Sequence, residues 1–298
     1  MFNLKKKKEF QDDLAQPIVT FYESVRDYSD HTVMSKSPDT RIRLYMKARP
    51  MTPPRLAKAI DDGLVGPKDD PEARSKILHE EFGWDKDLAK KIWCFGPNTT
   101  GPNILVNTCK GGVVDEIKDF VVAGFQRVSN EGPLAGEKMR GVCFELCDAV
   151  IEPDPTLRDE RQIIETAERV VYAAYLSATP CILEPIYLVE IQAMERDLNL
   201  IYQTAFNKRG HVFKKKEMPG NSLVYNCKAY LPVMESVGFF TDLQARTSDV
   251  NFPRVVFNRW EIRHFDPQKD DNEVGRLVLE TRRRKNLGDM KKLSDYEN

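Results

Sequence analysis

The sequence predicts an α+β protein in two parts, the second a βαββαβ unit, and three observations predict it. Between Asp39 and Arg49, Ile42, Leu44, Met46 and Ala48 alternate with Arg41, Arg43, Tyr45, Lys47 and Arg49. That period of two sends one set to a core and the other to an exposed strand face. Val114, Ile117, Val121, Phe125 and Val128 recur instead at helical spacing and mark a helix with one apolar side. Beyond Pro180, strand and helix patterns follow one another as β, α, β, β, α, β, the split βαβ or ferredoxin-like arrangement.

Taken in order, residues 1–16 are charged and have no partner element, so they read as a tail or the remnant of a preceding domain. From Pro17 the pattern is strand-like, and the polar turn Ser35-Lys36-Ser37-Pro38-Asp39 makes Val33 to Ala48 a hairpin. Pro71 to Trp93 has helical spacing and many charges, and Phe95 to Asn103, punctuated by two Gly-Pro pairs, reads as a loop. The helix around Val121 comes next. A strand carrying Val142, Phe144, Leu146 and Val150 follows, then a helix with Ile164, Ala167, Val170, Val171, Ala174 and Tyr175 inward. The first domain is thus 17–180. In the second, 181–264, Ile186 to Ile191 is a strand, and Leu198, Ile201, Tyr202 and Ala205 form a helix face. His211 to Phe213 and Leu223 to Leu231 are strands, Glu235 to Gln244 a helix, and Val255 to Ile262 the last strand. A tail, 265–298, carries the basic run Arg282-Arg283-Arg284-Lys285.

Hydrophobic residues make up 41% of the chain and charged residues 31%, a globular balance that excludes a wholly disordered or collagen-like protein. Lys and Arg number 45 against 46 Asp and Glu, a net charge of −1. A generally basic nucleic-acid binder is therefore excluded, and any RNA contact must come from local patches. No apolar run approaches the roughly 20 residues of a membrane helix, and Lys5 to Lys8 have no apolar segment behind them as a secretory leader would. The expectation is a cytoplasmic protein without membrane contact. The cysteines, Cys94, Cys109, Cys143, Cys147, Cys181 and Cys227, include no C-x-x-C pair and the histidines are scattered. Free thiols and no metal site are expected.

Gly96 to Gly101 has the first half of a Walker A spacing, but Pro102 and Asn103 stand where a lysine and a hydroxyl would reach phosphates and Mg²⁺. Neither G-x-S-x-G nor H-E-x-x-H occurs. Glu152, Asp154, Asp159 and Glu160 gather on a Pro-rich loop and read as a solvated acidic segment rather than an acid–base pair. No catalytic residue, metal ligand or cofactor is assigned to this chain. The strongest functional signal is the basic strand face. Arg41, Arg43, Lys47 and Arg49 flank Tyr45, which suits phosphate pairing and base stacking; the same pattern also fits a plain solvated face.

Longer strings carry a resemblance. They are Ser35 to Pro38, Arg43 to Pro50, Ile92 to Pro97 with Gly101 to Leu105, Val121 to Gln126, and Met139 to Val142. Glu184 to Gln192, Lys208 to Phe213 and Lys228 to Val233 continue the series. Collinear from about Pro17 to Lys285, they resemble eukaryotic translation elongation factor two, in its C-terminal third only. The resemblance implies two α/β sandwiches: a fourth domain, of the ribosomal protein S5 domain 2-like kind, and a ferredoxin-like fifth, with a tail that returns to the fourth. It implies part, or a derivative, of a translational GTPase that engages the ribosome as tRNA and mRNA are translocated. GTP and Mg belong to a G domain with no counterpart here, since Asn207-Lys208-Arg209-Gly210 lacks the Asp of N-K-x-D. The implied partners are the ribosome, through rRNA of the decoding region and tRNA, and a GTPase domain upstream or on another chain. Two other readings stand beside it: a non-catalytic ribosome- or RNA-binding paralogue, and a relative of the ribosome-biogenesis or spliceosomal GTPases.

In that family the tip of the fourth domain enters the decoding site, and one tip loop bears a histidine converted to diphthamide in a run like D-A-I-H-R-G-G-G-Q-I-I-P. The matching run here is Asp154 to Glu165. Leu157 stands at the histidine, Arg158 follows it, Asp159-Glu160-Arg161 replace the glycines and Glu165 the proline. From Glu152 to Glu168 six acids face two bases, a local charge of −4, so no diphthamide function is expected of this loop. The other tip loop, Lys36-Ser37-Pro38-Asp39-Thr40-Arg41, keeps its basic flanks. With Arg43, Lys47 and Arg49 it forms the expected ribosome- or RNA-contacting surface.

Overall fold

The computed structural model describes residues 19–111, 113–219, 221–247 and 253–297; the expected tail at 1–16 lies outside the described residues. The chain divides into two compact units, one made of 21–183 with 262–298, the other of Glu184–Glu261.

The first unit opens with β1 (Tyr22–Val25), β2 (Val33–Lys36) and β3 (Arg43–Pro50), then three helices, α1 (Arg55–Asp61), α2 (Pro71–Phe82) and α3 (Lys86–Lys90). Next come β4 (Ile92–Gly96), β5 (Asn103–Asn107), α4 (Lys118–Asn130), β6 (Val142–Val150) and α5 (Glu160–Ser177). Its main sheet has the order β2-β3-β6-β5-β4, with β5 and β6 the parallel pair. One face, with Leu44, Met46, Ala48, Phe144 and Leu146, packs on Val121, Phe125, Val128, Ile163, Ala167 and Val170 of α4 and α5. The two helices meet closely at Gly124, where a Cβ would stand 2.8 Å from Ala167 Cβ and 2.9 Å from the Ile164 carbonyl oxygen.

The opposite face is covered over β4 and β5 by Leu56, Ile60, Leu78, Trp84 and Ala89, which pack on Ile104, Val106 and Cys143. Here the structure differs from the sequence expectation. The single helical stretch Pro71 to Trp93 is broken. Asp70 caps α2 by accepting from the amides of Glu72 and Ala73, and Gly83 ends it in the left-handed region at φ 72°. Asp85 then caps α3, and Trp93 lies in β4. Strands buried on both faces read as continuous apolar runs rather than alternations, so β4 and β5 hide inside what reads as helix and loop.

The strand β7 (Pro180–Met194) pairs with β1 through its first four residues, Tyr22 opposite Leu183 and Val25 opposite Pro180. The rest of it pairs antiparallel with β9. The second unit continues with α6 (Leu198–Asn207), β8 (His211–Met218), β9 (Asn221–Pro232), α7 (Phe239–Arg246) and β10 (Arg254–Ile262). β9 joins β8 to β7, and β10 pairs with β7 on the other side, the strand order of a split βαβ sheet. Ile201, Ala205, Phe239 and Leu243 of the two helices cover Val189, Ile191, Cys227 and Leu231. Two last helices, α8 (Glu273–Arg284) and α9 (Leu293–Tyr296), belong to the first unit, where Val274, Val278 and Tyr296 enter its core. Among the described residues no helix is long and apolar enough to cross a membrane.

Candidate functional site

The pairing of β3 with β6 sets Arg43 opposite Val150, so the β2–β3 turn and the loop that follows β6 emerge at the same end of the sheet. They touch: Arg41 Nη1 donates to the Leu157 carbonyl at 3.5 Å. The first loop is braced from within. Ser37 Oγ donates to Asp39 Oδ1 at 2.5 Å and accepts from the Ile42 amide at 3.1 Å. The Thr40 amide donates to the Ser37 carbonyl at 2.8 Å, with Thr40 itself at φ 62°. The Ser37 hydroxyl holds the Asp39 carboxyl below its ordinary range. Pro38, Asp39, Thr40 and Arg41 are exposed, whereas Ser37 is buried and acts as the brace.

The second loop is held as tightly. Asp154 accepts from the amide and the hydroxyl of Thr156, and that amide holds its carboxyl down. Asp159 caps α5 at the Arg161 amide. Arg158 donates to the carbonyls of Glu152 at 2.6 Å and Pro153 at 3.1 Å, and its Nη1 meets Glu116 Oε2 at 2.6 Å. Its side chain is only 9% exposed, so Arg158 fastens the loop rather than presenting a cation. Leu157 stands out at 49% exposure.

Along the outer face of β2 and β3, Arg43 and Lys47 are exposed, while Lys36 and Tyr45 are half-buried. Asp148 lies opposite Tyr45 and Glu145 opposite Lys47. Arg49 departs from the alternation. It is buried at 8% exposure; its Nε donates to Glu145 Oε1 at 2.7 Å and its guanidinium carbon lies 5.1 Å from the centre of the Trp84 ring. The helices α1 to α3 cover this end of the sheet, and a period of two cannot reveal a cover supplied by other elements. Arg49 therefore leaves the exposed basic set.

The Gly96–Asn103 segment does not fit a nucleotide phosphate. The Gly101 amide donates to the Pro97 carbonyl at 2.8 Å, and a Cβ on Gly101 would meet Pro97. The buried Asn103 amide donates to the carbonyls of Gly96 at 2.9 Å and Met139 at 2.7 Å, and its oxygen accepts from the Val142 amide. The turn spends its polar groups on the sheet. Among the described residues no group of three His, Cys, Asp or Glu side chains converges as a metal would require. The six cysteines are free thiols, and burial pushes those of Cys94 and Cys143 up to about 12.

Two buried carboxylates carry no sequence signal. Glu23 on β1 accepts from the amides of Leu134, Ala135 and Glu137. Glu184 receives two hydrogen bonds from Arg209, at 2.8 and 3.0 Å, while Arg209 Nε donates to Glu235.

Comparison with known families places both units. Residues 64–179 match the family model described as elongation factor G, domain IV, and residues 181–270 match elongation factor G C-terminus. The β2–β3 turn precedes the first match and the loop at 152–159 falls inside it.

Proposed function

Because the chain carries domain IV and the C-terminal domain of the elongation factor G family of translational GTPases, we propose that it engages the ribosome through the end of its first unit, as an elongation-factor-two-like unit acting in the cytoplasm. The observation that carries this reading is the joining of the two loops at Arg41 and Leu157, with Arg43 and Lys47 exposed on the adjoining strand. A braced hairpin holds its shape on contact, and its exposed cations suit the phosphates that dominate RNA affinity. The neighbouring loop adds little. Two of its carboxylates, Asp154 and Asp159, are committed to Thr156 and to the start of α5, and Arg158 is held by Glu116.

Leu157 favours a second, narrower reading, in which the chain occupies ribosomal RNA without translocating. An alkyl side chain offers no imidazole for diphthamide, so diphtheria-type toxin with labelled NAD should leave the chain unmarked. GTP binding, in this proposal, belongs to a domain outside these two units. The test is sedimentation with ribosomes through sucrose at low salt, using the wild type and the Arg41→Ala, Arg43→Ala, Lys47→Ala triple variant. Loss of co-sedimentation in the variant is expected; equal co-sedimentation refutes the reading. Added to a translating extract, the chain slows elongation under the second reading and leaves it unchanged or supported under the first.

A further inference from the structure

Among the described residues of the second unit, both helices lie on one face of its sheet and none on the other. α6 and α7 cover the side that carries Val189, Ile191, Cys227 and Leu231, so alternate residues of β9 and β8 point the other way. Register places His211 opposite Tyr230, Lys214 opposite Lys228 and Lys216 opposite Asn226. On this face Phe213 stacks on Tyr230, with ring centres 4.2 Å apart and planes 12° from parallel. The guanidinium carbon of Arg259, on β10, sits 4.0 Å from the Tyr230 ring centre. Side chains from three strands of this sheet, β8, β9 and, across β7, β10, thus build one layered group of cation, phenol ring and phenyl ring. Phe213 keeps 42% of its surface exposed, an apolar ring left partly in water although burying it would be favourable.

The charges around this group are mainly positive. Lys228 is matched by Glu190 at 2.5 Å and Arg259 by Glu261 at 3.2 Å. Lys214 and Lys216, exposed on β8, form no ion pair among the described residues, and Arg254 is exposed at the start of β10. Flat exposed aromatic rings flanked by unmatched cations suit unpaired bases with their phosphates. An apolar protein partner would leave the lysines buried and unpaired, and a duplex hides the faces of its bases.

We propose that the open face of β8, β9, β7 and β10 binds single-stranded RNA by stacking a base on Phe213, with Lys214 and Lys216 on the phosphates. This surface is independent of the loops at Arg41 and Leu157, since all its residues belong to Glu184–Glu261. Its failure would leave the ribosome reading intact, and the reverse holds too.

The test uses the full chain and a fluorescein-labelled mixed-sequence RNA decamer, single-stranded or annealed, in anisotropy titrations. Phe213→Ala is expected to weaken single-strand binding about 5- to 150-fold, the range for loss of one stacked base, and Phe213→Trp to keep it. The Arg41, Arg43, Lys47 triple variant should retain the Phe213-dependent part. Ultraviolet crosslinking should place the RNA adduct on β8 or β9. The proposal is overturned if the wild type does not bind, if the duplex binds as well as the single strand, or if Phe213→Ala binds like the wild type. An unchanged thermal midpoint for Phe213→Ala shows that the lost binding is not lost folding; a large drop with Phe213→Trp also failing overturns the stacking role.

Discussion

Glu23 offers a change whose sign depends on pH. The side chain is wholly buried. Its Oε1 accepts from the amides of Ala135 at 2.8 Å and Glu137 at 3.1 Å, and its Oε2 from Leu134 at 2.9 Å. Glu23→Gln keeps the shape but replaces one acceptor oxygen with an NH2 group. With the amide oxygen turned to Ala135 and Glu137, the Leu134 N–H faces another donor, and an orphaned buried N–H costs about 1–3 kcal/mol. The wild-type carboxyl has a separate cost. Burial raises its pKa from 4.5 to about 7, against the pull of the three amides. A carboxyl whose pKa is higher folded than unfolded holds its proton longer in the folded chain. The stability this gives is full below 4.5 and is lost as pH rises through about 7, a total near 3 kcal/mol at 1.36 kcal/mol per pH unit. Glutamine does not titrate. The variant should therefore be less stable than the wild type by about 1–3 kcal/mol near pH 5, and the gap should close, or reverse, by about pH 8. Urea unfolding followed by circular dichroism at several pH values measures it. A gap that stays constant, or widens with pH, would show that the three amides outweigh burial and that Glu23 is ionised throughout.

Further perturbations have equally definite outcomes. Replacing Arg41, Arg43 and Lys47 by Ala should flatten the log–log salt dependence of ribosome association by about 2–3 units if each meets a phosphate. Arg49→Ala should leave that slope unchanged while lowering the thermal midpoint, because Arg49 is ion-paired and buried. Gly124→Ala gains about 1 kcal/mol of helix propensity but meets Ala167 and Ile164, an overpacking cost of about 1–3 kcal/mol; a raised melting temperature would contradict this. Arg209→Met removes two hydrogen bonds to buried Glu184 and should cost about 1.5–3 kcal/mol, the range for hydrogen bonds to a charged group, part of it recovered by adding Glu184→Gln. Arg158→Ala should speed amide exchange across 152–158 yet leave ribosome association as it was, since Arg158 already serves Glu116 and two carbonyls.

What could be read from the sequence was whatever one element settles alone. The β2–β3 hairpin, α4, α5 and the βαββαβ order follow from periods of two and 3.6 that need no partner to be seen. Features settled between distant elements were hidden. The apolar run Ile92–Phe95 carries no alternation because its strand has helices on one side and α4 on the other. Arg49 keeps the strand period and still loses its exposure to Trp84, 35 positions away. Arg158 reads as a basic residue at a loop end, and its partner Glu116 is 42 residues earlier. Glu23 sits in a four-residue strand where no period can be counted, and its three donors come from beyond Asn130. The resemblance located both units, but it could not say which cations of the loop remain free to meet a phosphate.

The return of 262–298 to the first unit fixes an order of events in the growing chain. Tyr172 of α5 lies against Tyr296, ring centres 5.1 Å apart, and Val274 and Val278 fill the same core. When residue 183 leaves the tunnel, its unit is still short of these side chains, and about ninety residues must be added before Val274 emerges in its turn. At about 5–20 residues per second the uncovered face waits for roughly 5–20 s. Meanwhile Glu184–Glu261, whose core is its own, can close first. The earlier half of this protein is thus completed later than the half that follows it. A chain stopped after Ile262 would carry a finished second unit and a first one with part of its apolar core open to chaperones and proteases.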